Sequence, residues 1–371
     1  MVKNKRYYNY DLLKIICCII VIGIHIGASY VKLAPKNPVI NEIYQNNLLY
    51  ITFWYIFPRI SVPCFIMISG SFILSKKNNQ SYKTFYKKTI VNIIIPTVLF
   101  SLFYLLIGII QTFIGIEQNN ISTPISNFIK GTSNESLWYL YMVIGIYLLV
   151  PLILKIKNNI KFDQFKNLAW IYLIITAPGN LASYHDIKWS IGLSVSYLGY
   201  FMIGYIIKEE IKDKQNNKKA ISFITLGIIT IFIDVFFKYI TQISTNISIN
   251  SSSIIFENNF NPFIMISSIL IFKGFSYLKF NKNIENLSKL TYPIYLIHIF
   301  VLLIIDKITK KYMFIINPSI LIPIKTLLVF VISMFISNIY LFIKDKIENK
   351  TNVSIKIADK IINKIEIILN K

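Results

Sequence analysis

Long apolar runs alternate with short polar, lysine-rich joints along almost the whole chain. The first run, Asn9 to Tyr30, reads NYDLLKIICCIIVIGIHIGASY and is interrupted by a lysine near its start and a histidine near its end. A run of this length can cross the hydrocarbon core of a bilayer, and Lys3, Lys5 and Arg6 before it would hold its start in the cytoplasm. It does not read as a signal peptide, because the apolar part is too long and no small-x-small cleavage site follows it. Further runs fall at 48–74, 90–116, 136–154, 168–180, 191–207, 220–237, 260–275, 290–305 and 318–343. The pattern predicts an all-α polytopic integral membrane protein of about ten transmembrane helices with both termini cytoplasmic. Residues 1–343 form the transmembrane domain, and 344–371 a cytoplasmic, amphipathic tail. In that tail Ala358, Ile361, Ile362, Ile365 and Ile368 recur at loosely helical spacing, as in a helix lying on the inner leaflet.

Composition agrees with this reading. The 371 residues are 54% hydrophobic and only 15% charged, with 27 Phe and 24 Tyr. A formal net charge of +22 would ordinarily raise nucleic acid as a partner. The placement of the basic residues decides against it. With the N-terminus inside, the predicted cytoplasmic segments hold 28 Lys and Arg and the external ones 7. That asymmetry is a topology signal, so the basic excess needs no nucleic acid to explain it. The three cysteines, Cys17, Cys18 and Cys64, all lie in apolar runs and make neither a disulfide framework nor a C-x-x-C metal pattern. No metal is predicted, and no nucleotide-binding Gly-rich loop, H-E-x-x-H, G-x-S-x-G or internal repeat is present.

The candidate chemistry lies where polar residues interrupt the runs. Lys14 and His25 are eleven residues apart. A helix turns through about 1100° over that interval, close to three full turns, and rises about 16 Å. The two therefore share one helix face at different depths. Ionisable groups at membrane depth are costly unless they face a bundle interior or a wet cavity, which makes this pair the first functional candidate. The competing account has Lys14 snorkelling to the headgroups and His25 donating to a neighbouring helix. Arg59 lies between Pro58 and Pro63 in the second run, ahead of the Ser69, Gly70, Ser71 cluster. It needs an anion, a carbonyl or water. Asp234 is the main acidic residue within the spans, which leaves Arg59 open either to a structural anchor or to an anionic ligand. The loop 75–88 carries Lys83, Lys87 and Lys88, readable as a solvated positive-inside loop or as a landing site for a phosphorylated cofactor. His185 beside Asp186 in an outer loop makes a weak metal reading. Tyr295 and His298 are near one face of the ninth span, fit for interhelical hydrogen bonding or for chemistry. The outer loop 239–259 is rich in Ser and Asn.

Several stretches, taken in order, resemble the membrane acyltransferase 3 family: YDLLKIICCIIVIGIHI at the first helix, VPCFIMISGSFIL at 62–74, FYKKTIVNIIIP at 85–96, SLWYLYMVIGIYLLVPLI at 136–153 and LTYPIYLIHIF at 290–300. The resemblance covers nearly all of the chain through residue 343. It implies transfer of an acyl group, usually acetyl, from cytoplasmic acyl-CoA to a hydroxyl of a cell-surface or exported polysaccharide or its lipid-linked precursor. It also implies a bacterial plasma-membrane location, with polysaccharide-synthesis proteins as possible partners. It makes His25 the catalytic histidine and Lys14 the basic member of the first-helix pair. The family usually carries arginines early in its third helix, where this chain has Thr89 and Asn92; Lys87 and Lys88 are then the charges available to a coenzyme A phosphate. Since some larger relatives carry an extracellular hydrolase-like domain that this sequence does not show, the resemblance leads us to expect the acceptor to be handled by the membrane domain itself or by a partner protein. Arg59 is assigned to oxyanion stabilisation or acceptor positioning. The rival reading is a polysaccharide transporter or flippase with Lys14, Arg59 and His298 along its route.

Overall fold

The computed structural model describes residues 6–76, 81–114, 120–134, 136–182, 194–245 and 258–369. Among them every regular element is helical. The helices are α1 (Tyr8–Leu33), α2 (Pro38–Asn46), α3 (Leu48–Ile56), α4 (Ser61–Ile73), α5 (Tyr82–Thr89), α6 (Ile95–Phe113), α7 (Ser122–Lys130), α8 (Trp138–Asn159), α9 (Phe162–Ala182), α10 (Ser194–Ile211), α11 (Asn217–Thr245), α12 (Pro262–Tyr277), α13 (Glu285–Thr309), α14 (Pro318–Thr351) and α15 (Val353–Leu369). Seven continuous helical segments among the described residues are long and apolar enough to cross a bilayer: 8–36, 48–73, 82–113, 138–159, 217–243, 285–314 and 318–351. The chain is thus an all-α polytopic membrane protein. The remaining expected spans coincide with α9, α10 and the shorter apolar α12. His185, Asp186 and most of the 239–259 loop lie outside the described residues, although α11 carries the start of that loop as helix to Thr245.

The chain divides into two compact units. The first comprises Met1–Ser75, Lys166–Tyr184 and Gly199–Ile336. Within it the second expected span is two helices, because Pro58 sits in a 3-10 turn, Phe57–Ile60, that separates α3 from α4. Proline has no N–H to give the α-helical ladder, which passes there into a 3-10 turn. Pro63 falls in the first turn of α4, where a missing N–H costs nothing. Gly70 in α4 and Gly204 in α10 allow these two helices to touch backbone to backbone. A Cβ on Gly70 would lie 1.8 Å from the Phe201 carbonyl oxygen, and one on Gly204 2.0 Å from the Met67 carbonyl oxygen. Small residues are what close helix approach in a bilayer requires.

The second unit comprises Lys76–Phe165, His185–Leu198 and Ser337–Lys371. Here α5 passes into α6 through a π-helical turn, Ile90–Ile94. Pro96 follows that turn, with no N–H to donate and a ring that crowds the carbonyl of Asn92, which widens the ladder. The tail helix α15 packs Ala358 and Ile362 against Ile90, with Val91, Ile94 and Ile95 around them. Its apolar stripe therefore meets protein as well as any lipid.

Candidate active site

The site is built where α1 packs against α13 in the first unit. Three contacts mark the seam. Ser288 Oγ donates to Asp11 Oδ1, Cys18 Sγ lies 3.6 Å from the Thr291 carbonyl oxygen, and the rings of His25 and His298 stand 5.4 Å apart, centre to centre, tilted by 45°. Asp11, Cys18 and His25 recur every seven residues on α1, so they form one stripe along the helix. Lys14 belongs to the same stripe, eleven residues before His25. On α13 the matching stripe is Ser288, Thr291, Tyr295 and His298. Both helices run in the same direction, so the seam leads from a charged end to the paired histidines.

The charged end is a small network. Arg6 Nε donates to Asp11 Oδ2 at 2.8 Å, and its Nη1 lies 3.1 Å from Glu285 Oε1, which also pairs with Lys289 at 2.7 Å. Lys14 Nζ is 3.9 Å from Asp11 Oδ1, and 32% of its side chain remains exposed. Its ammonium also stands 5.9 Å from the centre of the Phe72 ring. Lys208 of α10 approaches that same ring at 4.4 Å, reaches over Tyr7 at 4.8 Å and donates to the Ser71 carbonyl oxygen at 3.0 Å. Phe72 therefore carries two cations, each attracted by the ring's quadrupole. In the sequence Lys208 reads as one more basic loop residue, and no periodicity links it to Lys14.

At the other end of the seam His25 is half-buried, whereas His298 is 1% exposed. The opposite face of α1 is closed by Trp54 of α3. A Cβ on Gly23 would fall 2.4 Å from the Trp54 ring, and one on Gly27 3.3 Å from Trp54 Cβ. Gly23 is two residues from His25, about 200° around the helix, so the notch and the histidine lie on opposite sides. α1 is thus held between α3 and α13, with His25 turned to the α13 side.

Arg59 belongs to a different cluster. Its Nε donates to the Tyr55 carbonyl oxygen at 3.1 Å, and its guanidinium lies 4.6 Å from the centre of the Tyr55 ring. Lys238 of α11, 3% exposed, reaches the same ring at 4.8 Å. Asp234, fully buried, accepts from Asn261 Nδ2 at 2.9 and 3.0 Å and lies within electrostatic reach of both Lys238 and Arg59. Asp234 thus supplies a protein anion near Arg59, and Tyr55 a carbonyl. Lys325, another cation within a span, pairs with Asp306.

Lys83, Lys87 and Lys88 lie on α5 in the second unit. Lys87 pairs with Asp359 of α15 at 2.7 Å, whereas Lys83 and Lys88 are exposed. Partial burial, with Lys88 nearby, holds the Lys76 ammonium below the usual lysine range. Thr89 Oγ1 donates to the Phe85 carbonyl oxygen at 3.1 Å and Asn92 Nδ2 to that of Lys88 at 3.0 Å. Both neutral side chains thus bond back to their own helix. Cys17, Cys18 and Cys64 are free thiols, all buried.

Compared with known proteins, the chain matches the Acyltransferase domain family, Acyl_transf_3, over residues 7–338. No curated protein matches it, nor does any solved structure.

Proposed function

The chain belongs to the Acyltransferase domain family, and from that membership we propose that it is an acyl-CoA-dependent membrane O-acyltransferase. In this reading it moves an acyl group, acetyl in the simplest case, from cytoplasmic acyl-CoA to a hydroxyl of a surface or exported polysaccharide or its lipid-linked precursor. The observation that carries the proposal is the seam itself, with Lys14 at its charged end and the half-buried His25 about 16 Å further along the same face. A cation near the membrane surface and an imidazole within the bundle suit an extended donor with phosphates at one end and a thioester at the other.

His25 is assigned as the reacting base. The acceptor oxygen bonds to the acyl carbon as its proton passes to His25, the carbon–sulfur bond then breaks, and the proton moves from the imidazolium to the departing thiolate. A two-step route, in which His25 first takes the acyl group itself, uses the same residue. Lys14 is assigned to the donor's negative charge, with Lys83, Lys87 and Lys88 as further candidates and Lys87 available only when it leaves Asp359. Arg59, tied to Tyr55 and close to Asp234, is assigned to acceptor positioning. Residues 1–343 are taken as the transmembrane domain and 344–371 as the tail, with ten crossings, both termini in the cytoplasm and the bacterial plasma membrane as the location.

The test is purified full-length protein in lipid nanodiscs, supplied with acetyl-CoA and a defined oligosaccharide. Release of free coenzyme A thiol together with an O-acetylated product is the expected result. In sealed proteoliposomes, movement of the glycan across the bilayer without donor consumption would instead establish the carrier reading, which the 3-10 turn between α3 and α4 also suits.

A further inference from the structure

His298 faces His25 across the seam, yet the chemistry proposed above gives it no part. Its environment is specific. Nδ1 lies 2.7 Å from the Tyr295 carbonyl oxygen of its own helix. A carbonyl only accepts, so in the neutral ring the proton sits on Nδ1 and the lone pair on Nε2. That Nε2 is buried and has no hydrogen-bond partner. Buried polar atoms are nearly always hydrogen-bonded, so an orphaned one calls for a partner. The Nδ1 bond turns Nε2 away from the Tyr295 carbonyl, and the His25 ring is 5.4 Å away.

We propose that His298 is a positioning residue for His25, its Nε2 accepting an N–H from the His25 ring. The proposal rests on the reading of His25 as the base. With one His25 nitrogen committed as a donor to His298, the other carries the lone pair that takes the hydroxyl proton. The imidazolium formed then has two N–H groups. One remains on His298 and the other returns its proton to the departing thiolate, so the step begins and ends with both rings neutral. Rotation of the less buried His25 ring brings the pair from its resting separation to bonding distance.

The carboxylates of these two helices cannot do the same work. Asp11 lies 14 residues before His25, about 21 Å along α1, while on α13 Glu285 lies 13 residues before His298, about 20 Å away, and Asp306 eight residues beyond it, about 12 Å away. A neutral acceptor also avoids placing a second charge in the apolar interior, where an isolated ion is costly.

The test uses the full chain in nanodiscs, with steady-state turnover on acetyl-CoA and a defined oligosaccharide, donor KM, and thermal unfolding measured for three variants. The oxygen of His298→Gln reaches the place of Nε2. That of His298→Asn stops near Nδ1, and His298→Phe has no acceptor. The glutamine variant is expected to keep kcat within about tenfold of the parent protein, while the other two lose about 10²-fold or more, the scale of a misdirected general base. Donor KM should stay within about twofold in all three, because the interaction is made to the base and not to the donor. If the phenylalanine variant does not fold, the glutamine and asparagine variants decide by themselves. The proposal is overturned if the asparagine or phenylalanine variant retains near-parental kcat, if the glutamine variant falls as far as they do at equal stability, or if the loss appears in KM. Absence of turnover in the parent protein would instead remove the acyltransferase reading beneath it.

Discussion

At the scale of single residues, Lys14 and Asp11 show how far a helical spacing reaches. The eleven-residue interval places Lys14 and His25 on one face by arithmetic alone. The arithmetic is silent on what that face meets, because Ser288 lies 277 residues from Asp11 in the chain. The network at the charged end also sets the expected behaviour of Lys14→Ala. Asp11 keeps Arg6 and Ser288 as partners when Lys14 is removed, so no buried carboxylate is stranded. Donor affinity is therefore expected to fall about tenfold, or about 1.4 kcal/mol, with little change in thermal unfolding. Acetyl-CoA binding to the detergent-purified variant measures this, and unchanged affinity in a folded variant would take Lys14 out of the donor site. His298 was legible as a residue sharing a face with Tyr295 and fit for interhelical hydrogen bonding or for chemistry. Its bearing on His25 comes from packing, as does the bearing of Lys208 on Phe72.

At the scale of elements, the apolar runs foretold the long helices well, whereas the turns inside two of them became visible only in the structure, each beside a proline. Pro58 splits α3 from α4, and Pro96 follows the π turn between α5 and α6. The runs did not tell which helices pair, because an apolar face meets lipid and another helix on nearly equal terms. Glycine decides one such pairing. Gly70 and Gly204 place α4 and α10 in backbone contact, and an added methyl on either must push the helices apart. Gly70→Ala and Gly204→Ala are each expected to cost about 1–3 kcal/mol, the range for overpacked cores. The double variant should cost less than the sum, because once the helices separate the second methyl meets less resistance. Thermal unfolding of the purified variants reads both effects, and strict additivity would contradict the shared contact. Thr89 and Asn92 bond back to carbonyls four residues earlier, a habit of such side chains in helices that the apolar pattern does not register.

At the scale of the whole molecule, charge placement predicts orientation. The 28 to 7 division of basic residues puts the 75–88 loop inside and the 306–317 loop outside. The native thiols Cys17, Cys18 and Cys64 are buried, so engineered cysteines at exposed positions report cleanly. Lys311→Cys is expected to react with an impermeant maleimide added to intact cells, whereas Ser81→Cys should react only after the membrane is opened. External labelling at position 81 would reverse the topology and with it the side from which the donor enters. The functional claim needs both the orientation and the seam, and it converges on one imidazole. The most direct measurement is turnover of purified, folded His25→Ala in nanodiscs, with acetyl-CoA and a defined sugar acceptor, alongside donor binding to the same sample. A loss of about 10²- to 10⁴-fold in rate with donor binding retained is the expected result, as when a general base is removed. Near-parental turnover by that variant would contradict the functional claim.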